Sequence, residues 1–181
     1  MEQESSSGTS SIAWFKLAEL IARKEREKAL NVFRLLSHSF NDRAYTLQLE
    51  GDILFSLHDR GAPEKYKQAA FLYQKEQQWV YAIALYEHLL SLDHANPDLL
   101  AELIHAYAVI DWQEKFSERV HRICSLFNQK VVDEQQFVKT FKPVADYLIT
   151  CETKEKRTSI VDSLQAVMTQ YDNLPNLPYG F

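Results

Sequence analysis

Apolar residues recur every three or four positions along most of the chain, which is the period of an amphipathic α-helix. The pattern is clearest in residues 63–97, where it predicts two helices with a short connection between them. In each helix, small and large apolar residues share one face, and that face needs a packing partner. The apolar positions are Tyr66, Ala69, Ala70 and Tyr73 in the first helix and Ala82, Tyr86 and Leu89 in the second. No segment alternates with a period of two for long enough to predict a strand, so we expect an all-α protein.

Turn-forming residues divide this pattern into about nine predicted helices. The clearest break lies at residues 59–63, where Gly61 suits the end of one helix and Pro63 suits the first turn of the next. Ser10 or Ser11 is expected to cap the first helix. The charged run at residues 23–28 is expected either to turn the chain or to lie along the outside of a helix.

Three local features predict how particular helices begin, bend or pack. Asp133 and Gln136 have the spacing of a capping box, so the eighth helix should begin there. Pro143 lies inside that helix and should kink or divide it. Gly51 lies in the middle of the third helix, at a cost of about 1 kcal/mol relative to Ala. We therefore expect a neighbouring helix to approach closely at Gly51.

The chain is expected to form one helical domain with two terminal segments. Residues 1–10 are polar and rich in Ser, and we predict that they are disordered. Residues 11–172 are predicted to be the helical domain, with residues 131–172 as its capping helices. The tail, residues 173–181, contains Leu, Tyr and Phe side chains that would be an unusual set to leave in water. It is therefore expected to pack on the last helix or to contact a partner.

Residues 63–97 resemble one unit of the tetratricopeptide repeat family, in which about 34 residues form a helix pair. The positions that match the family are Tyr66, Ala69, Ala70, Tyr73, Trp79, Ala82, Tyr86 and Leu89. Residues 93–97 resemble the exit turn into a following repeat, and residues 12–57 and 98–127 resemble more degenerate repeats. The resemblance implies a right-handed α-α superhelix, a solenoid of stacked helix pairs.

The pairing of the helices before residue 63 is left open by this resemblance. If residues 12–40 form one pair and residues 63–97 another, the helix at 43–57 has no partner of its own. Residues 66–76 could instead serve as its second helix. We therefore expect an irregularity of the repeat register near residues 59–63.

The charge balance argues against nucleic acid as a partner. The 181 residues include 20 Lys and Arg and 25 Asp and Glu, for a formal net charge of −5, whereas phosphate binding needs a concentrated basic face. No apolar run approaches the roughly 20 residues of a membrane span, and residues 1–11 are too polar for a signal peptide. Cys124 and Cys151 have neither metal nor redox spacing, so a reducing, cytoplasmic location is expected.

The sequence contains no motif for catalysis, a cofactor or a metal, so we expect none of the three. His121 and Cys124 are three residues apart on one helix, which is half of a metal site, but no second His or Cys pair has ligand spacing. Four scattered glycines cannot form a phosphate-binding loop. Neither cysteine has the sequence neighbours of a catalytic nucleophile.

In tetratricopeptide repeat proteins the free faces of the first helices line a concave groove, and the resemblance implies a partner-binding groove in this chain. Its residues are expected to be Phe15, Glu19, Tyr45, Asp52, Phe55, Glu64, Lys67, Phe71, Asp98, Glu102 and His105. The Lys, Asn and Arg residues with which chaperone-binding members clamp a terminal carboxylate are missing. The acidic and aromatic residues favour a basic or amphipathic segment as the ligand. The alternative that the carboxylates are merely solvated stays open.

These features together predict a non-catalytic adaptor, scaffold or assembly subunit that binds a partner protein in the groove. Two alternatives stay open. The chain is similar in size and repeat content to small chaperones for exported proteins. It could also be a purely structural subunit of a large complex, in which case its outer faces and tail would be buried and its groove empty.

Overall fold

A computed structural model describes the backbone of residues 4–180 and the side chains of residues 11–180. Within that range there are ten α-helices and no strand. In chain order they are α1 (Glu4–Ala22), α2 (Arg26–Ser37), α3 (Arg43–Ser56), α4 (Ala62–Lys75), α5 (Trp79–Leu92), α6 (Pro97–Ile110), α7 (Gln113–Asn128), α8 (Glu134–Thr140), α9 (Lys142–Thr150) and α10 (Lys154–Met168). The all-α fold expected from the apolar period is confirmed.

Pro143 accounts for the difference between ten helices and the predicted number. The predicted eighth helix is divided into α8, which ends at Thr140, and α9, which begins at Lys142. Pro143 lies in the first turn of α9, where a missing N–H costs no helical hydrogen bond. The predicted capping box is confirmed, because Asp133 Oδ1 accepts the Gln136 N–H at 2.8 Å and Gln136 Oε1 accepts the Asp133 N–H at 3.2 Å.

The chain divides into two compact units, and the division falls between Gln78 and Trp79. In unit 1, α2 packs on α1 and on α3, while α3 and α4 form an extensive pair. Unit 2 contains α5 to α10. The division lies inside residues 63–97, so the two helices predicted there pack within different units: α4 on α3, and α5 on α6. The sequence left open whether the helix at 43–57 has a partner, and in the structure it pairs with residues 66–76.

The α3–α4 pair shows why a glycine lies in the middle of α3. A Cβ atom at position 51 would lie 2.8 Å from both Cδ1 and Cε1 of Tyr66, which is closer than carbon atoms can approach. The Tyr66 hydroxyl donates a hydrogen bond to Asp52 Oδ1 at 2.8 Å. Farther along the pair, the Tyr73 hydroxyl donates to Gln48 Oε1 at 3.0 Å. The close approach predicted at Gly51 is confirmed.

Helix α1 begins earlier than the sequence predicted. It starts at Glu4 and runs through Ser10 and Ser11, so neither serine is its N-cap and that prediction was wrong. Serine is tolerated inside helices, and its presence therefore does not fix a boundary. Of the predicted disordered segment, residues 1–3 lie outside the described part of the chain and residues 4–10 belong to α1.

Both predicted roles of the charged run are seen, because residues 23–25 connect α1 to α2 while residues 26–28 lie exposed in the first turn of α2. Lys24 has a φ of 60° in the connection between α1 and α2. Its ammonium group donates a hydrogen bond to the carbonyl of Ser56 at 2.7 Å. Ser56 is the last residue of α3, where a positive charge interacts favourably with the helix dipole. Arg26 pairs with Asp59 in the connection between α3 and α4. Two turns of unit 1 are therefore joined by basic side chains.

Helix α6 is the centre of unit 2. It packs on α5, α7, α8 and α9, and α10 packs on α7. The side chains of Leu100, Leu103 and Ile104 on α6 are completely buried. Phe137 and Phe141 are also completely buried, with their rings edge to face and their centroids 5.2 Å apart. This core positions the charged and aromatic side chains described below.

The described part of the tail, residues 173–180, packs on unit 2. Leu174, Pro175, Leu177 and Tyr179 are half-buried. The Tyr179 hydroxyl donates to the carbonyl of Val138 on α8 at 3.3 Å. The expectation that this segment packs on the chain is therefore confirmed for these residues.

Candidate functional site

An exposed apolar face of α1 is the most prominent surface feature among the predicted site residues of unit 1. Phe15 is 78% exposed, and Ile12, one turn earlier, is 68% exposed. Leu17 and Leu20 are buried against the rest of the unit. Because successive helical residues are about 100° apart, Phe15 lies roughly 140–160° around the helix from both leucines. Phe15 therefore points away from the core, and we call Ile12, Phe15 and the exposed Ala18 the α1 face.

Trp14, Leu17 and Ala18 recur at helical spacing, which predicts that Trp14 and Ala18 are buried like Leu17, and this prediction is wrong. Ala18 is exposed, and Trp14 is 37% exposed. Apolar residues surround almost the whole circumference of α1, so periodicity alone does not select its buried side. The Trp14 ring stacks on Phe40 with centroids 6.1 Å apart, and Phe40 meets Tyr45 edge to face at 6.0 Å. The predicted site residue Tyr45 thus belongs to a small aromatic cluster that the sequence did not indicate.

A second surface with predicted site residues lies on α4. Glu64, Lys67 and Phe71 are all exposed and follow one another at helical spacing on the side away from α3. Phe71 is 52% exposed, and the ammonium nitrogen of Lys75 lies 4.6 Å from the centroid of its ring. Gln68 donates to Glu64 Oε1 at 2.9 Å. We call Glu64, Lys67 and Phe71 the α4 face. Its charges are mixed, with a lysine beside its only acidic member.

The other acidic predictions in unit 1 already have partners within the chain. Glu19 forms ion pairs with Lys16 at 2.8 Å and Arg23 at 2.7 Å. The hydrogen bond from Lys16, and next the charge of Arg23, hold the pKa of the Glu19 carboxyl below its ordinary value. Asp52 accepts the hydrogen bond from Tyr66 described above. Water and salt screen ion pairs at the surface, so a partner could displace those of Glu19 at little cost.

The remaining predicted site residues, Asp98, Glu102 and His105, lie on α6 in unit 2. Asp98 is exposed and accepts from Lys139 at 3.0 Å. Glu102 is half-buried, and its charge, second to burial, raises the pKa of Tyr86. His105 is also half-buried. Of these three residues of unit 2, therefore, only Asp98 has an exposed side chain.

His105 is packed among rings and is not free to meet a ligand. Its ring lies edge to face with Trp79, with centroids 5.4 Å apart, and 5.9 Å from the ring of Tyr147. Burial lowers the pKa of His105 below the ordinary value of 6.5, and the carboxylates of Glu102 and Asp146 oppose this effect. The environment therefore favours the neutral imidazole and gives His105 a packing role in unit 2.

A charged network that the sequence did not indicate connects three helices of unit 2. Glu87 on α5 accepts from both Nη2 and Nε of Arg119 on α7, at 2.7 and 3.0 Å to Oε1. The same oxygen accepts from the Tyr107 hydroxyl of α6 at 2.7 Å. The three residues are 12 to 32 positions apart, and no local pattern pairs them. A carboxylate with several donors stabilises a packed arrangement of helices, but it leaves no free group for chemistry.

The candidate half-site for a metal has no second half in the part of the chain that is described. Residues 11–180 contain no group of three or more His, Cys, Asp and Glu side chains that could hold a metal ion. His121 Nδ1 instead lies 3.1 Å from the Tyr171 hydroxyl. Cys124 is completely buried, which raises the pKa of its thiol to about 12 and keeps it protonated at neutral pH. His121 therefore contacts another side chain of the protein, and Cys124 is part of the core.

The eleven predicted site residues divide between the two units, with Asp98, Glu102 and His105 in unit 2 and the others in unit 1. Glu64, Lys67 and Phe71 share one face, whereas Phe15 belongs to a different helix and has Ile12 as its apolar neighbour. Ile12 was missed, although its spacing of three from Phe15 would have indicated it. Among the described helices, none combines the length and the apolar character needed to cross a membrane.

No protein-family model matches this sequence, and no curated protein or solved structure shows similarity to it.

Proposed function

We propose that this chain is a non-catalytic interaction protein, an adaptor or assembly subunit, that binds a segment of a partner protein on the exposed apolar face of α1. The observation that supports this proposal best is the position of Phe15. It is the most exposed aromatic side chain among the predicted site residues, and it lies opposite the buried leucines of its helix. The tetratricopeptide resemblance, which also places Phe15 in a binding groove, stays a prediction.

The energetics of Phe15 favour a docking role. A phenylalanine that moves from water into a packed interface contributes about 1.5–3 kcal/mol. At 78% exposure, Phe15 gains little of this within its own chain. Ile12 lies one turn away and would be covered by the same partner. Aromatic anchors of this kind, with apolar neighbours, are typical of the residues that dominate binding energy at protein interfaces.

The charges around the α1 face favour an amphipathic segment as the partner. Glu19 lies one turn after Phe15 and forms ion pairs with Lys16 and Arg23, so charges of both signs are found near Phe15. The α4 face likewise has both Glu64 and Lys67. A segment with an apolar side for Phe15 and mixed charges at its edges would match this surface. A uniformly basic segment matches it less well, because Lys16 and Arg23 already neutralise Glu19.

Photo-crosslinking from single positions tests the proposal. The photoreactive residue p-benzoylphenylalanine is introduced at position 15, 71 or 35 of the full chain, and extracts of cells that produce the protein are irradiated. We expect one partner to crosslink from position 15. Leu35 on α2 is the matched control, because it is 75% exposed and lies in the same unit. Replacement Phe15→Ser should then lower capture of that partner about tenfold, as for other interface anchors, whereas Leu35→Ser should leave it unchanged.

The reverse result would favour a second function, that of a structural subunit packed by its outer faces. The observation behind this alternative is that Leu35 on α2 and Ile149 on α9 are 75% and 79% exposed. Crosslinks from position 35, with none from positions 15 and 71, would support it and contradict binding at the α1 face. Crosslinks from position 71 without position 15 would move the binding surface to the α4 face.

A further inference from the structure

The C-terminal segment packs on unit 2 without regular secondary structure from residue 174 to 177 and with a turn at Pro178 and Tyr179. From Pro175 to Gly180 its residues alternate between half-buried and exposed, so that Pro175, Leu177 and Tyr179 face the protein while the residues between them face solvent. Pro175 and Pro178 fix φ near −65° and remove two N–H donors. Each proline restricts the conformations that the free segment can adopt, so less conformational entropy is lost when the segment docks.

Two cavities border this segment, each lined both by helix residues and by tail residues. Leu174, Pro175 and Leu177 line one cavity of about 600 Å³ together with Leu164 and Met168 of α10. Tyr179 lines another cavity of about 610 Å³ together with Val138, Lys139 and Lys142. We call the helix side of these two cavities, formed by Val138, Lys139, Lys142, Leu164 and Met168, the C-terminal groove.

The contacts of the segment in this groove are modest in strength. The hydrogen bond from the Tyr179 hydroxyl to the Val138 carbonyl measures 3.3 Å, which is longer than the usual distance of about 2.7–2.8 Å between two oxygens. The inward-facing side chains are half-buried rather than buried. The segment therefore identifies what the groove accepts, while leaving room and binding energy for an occupant that fits more closely.

We propose that the C-terminal groove is a recognition site for Leu-Pro segments of a partner protein, occupied in this chain by its own tail. The partner segment has the chemistry that the tail displays, with leucines spaced by a proline and an aromatic side chain near the end. The groove meets it with the apolar Leu164, Met168 and Val138 and with the Val138 carbonyl as acceptor. The C-terminal groove belongs to unit 2, whereas the α1 face belongs to unit 1.

The attached tail competes with any partner for the groove. A segment held on a short linker has an effective concentration of about 1 mM, so a partner segment must bind more tightly than the tail or meet a chain whose tail is weakened. Substitutions in the tail that leave the groove intact should therefore improve binding of an added peptide. Substitutions in the groove should abolish that binding.

The experiment uses the full chain and a fluorescein-labelled synthetic peptide of the sequence DNLPNLPYGF. In the variant Leu174→Ser/Leu177→Ser the peptide should bind about tenfold more tightly than to the unsubstituted chain, measured by fluorescence anisotropy. Asn176→Ala is the matched tail control, because Asn176 is exposed, and it should leave the affinity unchanged. Addition of Met168→Glu to the double variant should remove binding, whereas Ala166→Glu, an exposed position on the same helix, should not.

Three results would overturn the proposal. The first is equal peptide affinity for the unsubstituted chain and the double variant. The second is equal binding of a peptide in which both leucines are replaced by serine. The third is a concentration-dependent dimer, seen by light scattering, that the double variant loses, because the groove would then belong to the tail of a second copy. Circular dichroism of each variant checks that the helices are intact, so that a loss of binding is attributable to the groove.

Discussion

The substitution Gly51→Ala tests the central packing contact of unit 1. A Cβ atom at this position would lie 2.8 Å from two ring carbons of Tyr66, a side chain that is only 2% exposed. The ring cannot stay where it is, and its hydrogen bond to Asp52 at 2.8 Å must break or lengthen as it moves. A change that would stabilise an isolated helix should therefore destabilise this protein.

The expected change in the free energy of unfolding is the sum of one stabilising and two destabilising contributions. Replacing Gly by Ala inside a helix contributes about 1 kcal/mol of stability. Forcing an extra carbon into a packed contact costs about 1–3 kcal/mol. Loss of the Tyr66 hydrogen bond costs about 1 kcal/mol, since Asp52 is exposed and water replaces the donor. The free energy of unfolding should fall by about 1–3 kcal/mol, the sum of these terms.

Urea unfolding, followed by hydrogen–deuterium exchange, measures the loss of stability in α3 and α4 themselves. Mass spectrometry of peptides from residues 43–75 reports on α3 and α4, and peptides from unit 2 serve as an internal reference. In the Gly51→Ala variant the first group should lose protection at a lower urea concentration. Tyr66→Phe, which removes only the hydroxyl, should cost about 1 kcal/mol and thereby separates the hydrogen bond from the steric term.

A double-mutant cycle of positions 51 and 66 tests the steric explanation of Gly51. In a Tyr66→Leu background no ring opposes position 51, and Gly51→Ala should be neutral or stabilise by up to about 1 kcal/mol. The coupling between the two positions should therefore be about 2 kcal/mol. If Gly51→Ala has the same effect in both backgrounds, or stabilises the chain when Tyr66 is present, the steric explanation of Gly51 is wrong.

Two further predictions concern unit 2. Burial lowers the pKa of folded His105 below 6.5, so the unfolded chain binds more protons there. The free energy of unfolding should fall by up to about 1.4 kcal/mol per pH unit as pH drops below 6.5. In thermal melts recorded over a range of pH, the His105→Phe variant should lack this pH dependence of stability. An unchanged pH dependence would exclude His105 as its source. Arg119→Met leaves Glu87 half-buried without its cation and should cost about 1–3 kcal/mol in urea unfolding, whereas Glu118→Ala, on an exposed pair with the same arginine, should cost under about 1 kcal/mol.

Local features of the sequence predicted the helices and most of their boundaries. The position of Pro63 in the first turn of α4, the capping box of Asp133 and Gln136, and the division at Pro143 are all set by residues close in sequence. Such features need no knowledge of the rest of the chain.

Two local predictions were wrong. The Ser-rich start of α1 misled because serine is found both at helix caps and inside helices. Gly61 was expected to end α3, but that helix ends at Ser56, and Gly61, with a φ of −78°, directly precedes α4.

The candidate site could be predicted only in part. Helical spacing correctly placed Phe15 and Phe71 on outward faces. The same reasoning placed His105 in a groove, but Tyr147, some 40 positions later, covers its ring. It also treated Asp52 as a ligand contact, whereas Tyr66 uses it as an acceptor. Whether a polar side chain meets a ligand or another residue depends on neighbours that are distant in sequence, and periodicity contains no such information.

The sequence by itself determined that this protein is helical, where most helices begin and end, and which side of most helices is apolar. Only the tertiary structure decided which apolar sides meet. Residues 63–97 present two amphipathic helices, yet α4 pairs with α3 and α5 with α6. An apolar face contributes similar burial energy against any partner of the same area. The choice depends on steric fit, such as the Tyr66 ring over Gly51, and on hydrogen bonds, such as those that join Glu87 to Tyr107 and Arg119.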